Sequence, residues 1–88
     1  MKIAFDKSFQ KRLIKIKDKA LLGKVKDVII HAESAPDIWQ IPNISKLEGF
    51  KTFYRIRIGD YRIGIELKKD TLFFITIANR KDIYKNFP

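Results

Sequence analysis

Eighty-eight residues with a net charge of +9 and no cysteine read as a single domain spanning 1–88, and exclude a second domain, a disulfide scaffold, a cysteine nucleophile and a thiolate metal site. Hydrophobic residues at 45% and charged ones at 33% fit a folded globule, while His31, the only imidazole, gives little support to a histidine metal site or a triad needing a second histidine. No run approaches the roughly 18 to 20 apolar residues of a membrane span and no basic-then-apolar leader opens the chain, so a cytoplasmic protein with no membrane partner is expected.

Lys2-Ile3-Ala4-Phe5 alternates as a short strand. Asp6 then suits the N-cap of a helix with Phe9, Leu13 and Ile16 on one buried stripe and lysines on the other face. A second helix starts at Asp18 and carries a wider stripe of Leu21, Leu22, Val25, Val28, Ile29 and Ala32, stopping before Ser34-Ala35-Pro36. The short break between them predicts a helical hairpin whose stripes need a sheet to cover. His31 falls near the end of the second helix, where the dipole favours a partly positive imidazole, and no catalytic role is expected of it.

Ser34 to Ser45 has two prolines and no clear period, so a packed irregular connection is expected, anchored by Ile38, Ile41 and Ile44. Trp39 reads as a plug in the core or at its edge, with a partner-binding role as the other option. A strand is expected to begin at Lys46-Leu47. Strands then follow over Phe53–Ile58, Tyr61–Leu67 and Thr71–Ala78, with turns at Gly59-Asp60 and Lys68-Lys69-Asp70. Arg80 to Lys85 suits a short helix or an extended tail.

The Gly59-Asp60 connection is informative, because Gly at the first position of a two-residue turn suits type II′ and thereby sets a register. Ile58 faces Tyr61, Arg57 faces Arg62, Ile56 faces Ile63, Arg55 faces Gly64 and Tyr54 faces Ile65. Alternation puts Tyr54, Ile56, Ile58, Tyr61, Ile63, Ile65 and Leu67 on the face that covers the helices. Arg55, Arg57, Arg62 and Gly64 share the other. Two arginines directly opposed are unfavourable by about 0.2 to 1 kcal/mol, whereas a bound polyanion would turn that repulsion into attraction, since guanidinium forks match phosphate oxygens. Gly64 clears volume, so close approach of a ligand to the sheet is expected there. The bland alternative is an ordinary solvated face, partly neutralised by Glu66.

Charge is unevenly distributed. Residues 1–26 carry nine basic and two acidic groups, residues 27–50 one and four, and residues 51–88 nine and four. Two basic segments flanking an acidic middle suggest a polyanionic partner or an acidic protein, although the N-terminal lysines are equally consistent with a merely soluble surface. The cationic face has no nearby carboxylate pair, cysteine or histidine. RNA is a substrate that tolerates this, because its 2′-OH can attack the adjacent phosphate while the protein aligns groups and stabilises charge. Composition and spacing reach a basic, phosphate-binding sheet face and stop there.

Lys46-Leu47-Glu48-Gly49, Phe53-Tyr54-Arg55-Ile56-Arg57-Ile58-Gly59-Asp60-Tyr61-Arg62-Ile63 and Asn79-Arg80-Lys81-Asp82-Ile83-Tyr84 together resemble the RelE/ParE superfamily of type II toxin-antitoxin toxins, across essentially the whole chain. The resemblance implies an α+β fold in which an N-terminal strand and helical hairpin pack on a curved antiparallel β-sheet. It implies a cognate acidic antitoxin and, in the RelE branch, metal-independent cleavage of mRNA in the ribosomal A site, with no cofactor. By position, Arg55 and Arg57 match the basic pair of the central strand and Arg62 the phosphate-contacting arginine after the turn. Arg80 and Tyr84 match the candidate general acid and the orienting or stacking group. Lys51, Lys81 and Lys85 are expected to bind RNA. Two departures stand out: arginine replaces the lysine common on the central strand and is a poor general base, and Asn79 replaces a histidine and cannot shuttle a proton. A ParE-like inhibitor of DNA gyrase, or a degenerate toxin that binds RNA and antitoxin with little catalysis, are the alternatives. For Tyr84, packing against Phe87 is the competing role.

Overall fold

In the computed structural model, which describes the backbone of residues 1–88 and every side chain except that of Asn86, the chain runs β1 (Lys2–Phe5), α1 (Lys7–Lys15), α2 (Lys19–Ser34), a 3-10 turn (Ile38–Gln40), β2 (Ile44–Lys46), β3 (Phe53–Ile58), β4 (Tyr61–Lys68), β5 (Thr71–Asn79) and α3 (Ile83–Asn86). Among the described residues no helix is long and apolar enough to cross a membrane. The Asp18 carboxylate accepts from the Leu21 N–H at 3.1 Å and so caps α2. Asp6 precedes α1, yet its side chain makes no capping bond. Its backbone N–H donates instead to the Phe74 carbonyl at 2.9 Å, so the sheet holds that corner.

The sheet order is β1-β5-β4-β3-β2. β2 to β5 pair antiparallel, which is the expected antiparallel sheet, and the N-terminal strand β1 joins its edge parallel to β5. Short connections reverse each strand from β2 onward, whereas the two helices and three further strands separate β1 from β5 and supply the long crossover that parallel pairing needs. β2 also starts earlier than Lys46: Asn43 at φ 63° turns the chain, and Ile44 already pairs with Ile56. Leu47 lies just beyond it and is buried. The β3–β4 register agrees with the sequence reading at every pair from Ile58–Tyr61 to Tyr54–Ile65, and Gly59 carries the positive φ, 55°, that the turn requires.

The helix-facing side of the sheet forms the main core. Ile56, Ile63, Ile65, Leu72 and Phe74 are fully enclosed, and Phe9 from α1 with Leu21, Val25 and Ala32 from α2 complete it. Leu13, Ile16, Val28 and Ile29 pack at its margin. Phe9 meets Phe74 edge-on, ring centroids 5.5 Å apart; burial of such a side chain is worth roughly 1.5 to 3 kcal/mol. Ile38 and Ile41 are buried as anchors of the connection. Trp39 stays 61% exposed with its ring edge-on to Tyr54 at 5.7 Å, so it borders the core without filling it. In β5, Gly64 pairs with Thr76 and Ile65 with Phe74, leaving Ile75 as the extra residue of a bulge. The bulge lets Phe74 and Ile77, three residues apart, both reach the helix-facing core.

Candidate functional site

The opposite side of the sheet carries the cations. Arg55 and Arg57 leave β3 on that face, and Arg62 stands on β4 directly across from Arg57. The Arg80 backbone N–H donates to the Asp60 carbonyl at 2.7 Å, which ties the segment after β5 to the β3–β4 turn. α3 then crosses the face. These elements enclose a cleft of about 420 Å³ lined by Arg55, Arg57, Arg62, Arg80 and Tyr84, together with Asn43, Ile44, Ser45 and Ile83. All five residues expected to do chemistry therefore meet in one place.

Two of the guanidinium groups are held by hydrogen bonds. Arg62 Nη1 donates to the Gly59 and Tyr61 carbonyls at 2.8 and 2.9 Å, which locks it over the turn. Arg55 Nε donates to Ser45 Oγ at 3.1 Å, and its guanidinium carbon lies 5.8 Å from the centroid of the Tyr84 ring, within cation-π range. The Arg57 backbone N–H donates to the Asn43 carbonyl at 3.1 Å, while its side chain is exposed. Partial burial, and then the nearby charges of Arg57, Arg55 and Arg80, push the Arg62 guanidinium below its ordinary pKa, with Asp60 offsetting part of this. Among the described residues none of these arginines forms an ion pair with a carboxylate. Glu66 does not neutralise them: it pairs with Lys68 at 3.6 Å and accepts from Thr52 at 3.5 Å. Such a crowd of like charges without carboxylate partners is suited to an entering phosphate.

Ser45 and Asn43 were missed by the sequence reading. The Ile44-Ser45-Lys46 alternation after Pro42-Asn43 is the signal that would have placed them beside Arg55 and Arg57. Lys51, Lys81 and Lys85 are exposed but do not line the cleft; Lys85 pairs with Asp82 at 3.0 Å. Asn79 also lies outside it, on a groove beside α1, where its Oδ1 accepts from the Lys81 N–H at 3.0 Å. His31 lines a neighbouring groove that shares Arg57 and Asn43 with the cleft. Its Nδ1 faces the Asp27 carbonyl at 3.0 Å, an acceptor only, so Nδ1 carries the proton.

One expectation is overturned. Gly64 does not open the sheet to a ligand, because the Phe87 ring fills the space over it. Phe87, Ile83, Leu47 and Ala78 form a second, smaller core on this face, with Phe53 and Ile75 packed against it. Glycine leaves a vacancy, and the chain's own C-terminal segment takes it. Tyr84 is half exposed and presents its ring to Arg55.

The model of the ParE toxin of the parDE type II toxin-antitoxin system matches residues 3–84. Toxin RelE3 of Methanocaldococcus jannaschii is 36% identical over 89 residues, covering all of both chains. The RelB-RelE antitoxin-toxin complex from Methanococcus jannaschii superposes with a TM-score of 0.82 at 34% identity, covering 97% of this chain and 99% of that one. The intact Escherichia coli RelBE toxin-antitoxin complex shares the fold, with a TM-score of 0.70 at 21% identity over 89% of this chain and 94% of that one. Family model, relative and fold agree with the cationic cleft: this chain belongs to the RelE/ParE superfamily of type II toxin-antitoxin toxins, and is of the RelE type.

Proposed function

We propose that this toxin is an endoribonuclease that cleaves mRNA in the ribosomal A site. The convergence of Arg55, Arg57, Arg62, Arg80 and Tyr84 on one cleft carries the reading. In the reaction the 2′-oxygen attacks the adjacent phosphorus, the 2′-OH proton leaves to water and the P–O5′ bond breaks. The products are a 2′,3′-cyclic phosphate and, after protonation of the leaving oxygen, a 5′-OH. No metal takes part in the step as proposed. Arg57, Arg62 and Arg80 stabilise charge on the phosphate, and Arg55 lowers the pKa of the 2′-OH electrostatically. Tyr84 orients the neighbouring nucleotide by stacking. Lys51, Lys81 and Lys85 add attraction for RNA outside the cleft. His31 has no part in the step.

A cognate acidic antitoxin restrains the activity. Support comes from the relatives solved as RelB-RelE complexes and from the +9 charge. Induced expression is expected to arrest growth and translation, and primer extension on a translated message to show new 5′ ends that vanish when translation is blocked. The match to the ParE model favours a second reading, inhibition of DNA gyrase. Cleaved supercoiled DNA without new RNA ends would select it.

A further inference from the structure

We propose that Phe87, seated in the space left by Gly64, is a positioning residue that holds Tyr84 against Arg55 on the wall of the cleft; this deepens the ribonuclease reading above. A Cβ built on Gly64 would lie 2.7 Å from Cγ and Cδ2 of Phe87 and 2.8 Å from its Cε2. No ordinary side chain fits there with the ring in place. Phe87 is 1% exposed, and its ring meets Phe53 edge-on at 5.4 Å. Ile83, also 1% exposed, belongs to the same small core.

Tyr84 stands between these two anchors and points outward. α3 has four residues, and isolated helices below about 12 residues are marginal in water. Its orientation therefore depends on what grips its two ends. Arg80 is held independently, through the bond from its N–H to Asp60, and Arg55, Arg57 and Arg62 stand on the sheet itself. Loss of Phe87 would thus release Tyr84 while the arginines keep their places.

Two readouts test this. The first needs no substrate. In the free protein the Tyr84 ring, 5.8 Å from the Arg55 guanidinium carbon, is expected to shift the NMR signals of the Arg55 side chain, and Phe87→Ala to move them to the positions found in Tyr84→Leu, with Arg57 and Arg62 signals unchanged. Gly64→Ala, which expels the ring from the other side, is expected to do the same. Phe87→Leu alone keeps most of the buried volume and is expected to retain at least half of the shift, and Gly64→Ala carries the test if Phe87→Ala does not fold. Parental Arg55 signals in a folded Phe87→Ala or Gly64→Ala protein would overturn the proposal.

The second readout is single-turnover mRNA cleavage on programmed ribosomes. Phe87→Ala is expected to slow the saturated rate at least threefold, and by no more than Tyr84→Ala does, and to shift the half-saturating toxin concentration less than threefold. In a Tyr84→Ala background it is expected to add less than twofold. A full additional loss in that background would show a merely structural role and overturn the proposal. A parent that cleaves no RNA would sink the ribonuclease reading, while the Arg55 signals would still decide whether Phe87 positions Tyr84.

Discussion

Arg57 and Arg62 stand directly opposite each other on β3 and β4, two like charges whose repulsion opposes folding. The pair is therefore a place where function and stability pull apart. Arg57→Gln removes the repulsion, worth about 0.2 to 1 kcal/mol, and is expected to raise the melting temperature by roughly 1 to 5 °C. Cleavage by the same variant is expected to fall about 100-fold, the usual cost of deleting one charge-stabilising donor. Thermal unfolding and ribosome-dependent cleavage, measured on one preparation, check both halves. A fall in both quantities would contradict the assignment.

The crowding of Arg55, Arg57 and Arg80 around Arg62 in one cleft is expected to make anions stabilising. A ligand that binds only the folded state adds RT ln(1 + [L]/Kd), about 2.7 kcal/mol at a hundredfold excess over Kd. Inorganic phosphate or a non-cleavable 2′-deoxy oligonucleotide is expected to raise the parent's melting temperature, and Arg62→Ala to lose most of the gain. Chloride at equal ionic strength is the control. An equal gain with chloride would mean simple screening.

Tyr84 has two conceivable uses, its ring and its hydroxyl, and the ring facing Arg55 favours the ring. Tyr84→Phe is expected to cleave within about threefold of the parent. Tyr84→Ala is expected to lose roughly 5- to 100-fold, the worth of one base-aromatic stack at 1 to 3 kcal/mol. Equal losses in both variants would assign the role to the hydroxyl.

Asp18 and Asp6 occupy similar positions before the two helices, but only Asp18 caps. Asp18→Ala is expected to cost about 1 kcal/mol, a drop of roughly 4 to 8 °C in melting temperature. Asp6→Ala is expected to cost less than half of that. Neither change touches the cleft, so cleavage per folded molecule is expected to stay at the parental value.

An acidic antitoxin would be steered by the +9 charge and anchored by apolar contacts, since exposed charges are screened beyond roughly 8 Å at physiological salt. Raising salt is expected to slow association more than it speeds dissociation. Stopped-flow mixing and competitor-chase measurements give the two rates. Complete dissociation in moderate salt would mean an interface that is mainly electrostatic.

What the amino-acid sequence determined by itself is local. The β3–β4 hairpin, its register and the sharing of one face by Arg55, Arg57 and Arg62 follow from Gly59, a two-residue turn and the alternation of side chains, all within some 15 residues. The same short-range chemistry placed the start of the second helix at Asp18, but it also offered Asp6 as a cap, and there the side chain makes no capping bond. The resemblance across the whole chain then brought Arg80 and Tyr84 to that face. Tertiary structure decided the long-range pairings. β1 lies parallel to β5 because a crossover intervenes, Ile75 bulges so that Phe74 and Ile77 both reach the helices, and Ser45 meets Arg55 because β2 begins after the turn at Asn43. Gly64 shows the physical reason most clearly. A missing side chain reads the same in sequence whether the vacancy admits a ligand or another part of the chain, and only the packed fold brings Phe87, 23 positions away, into it.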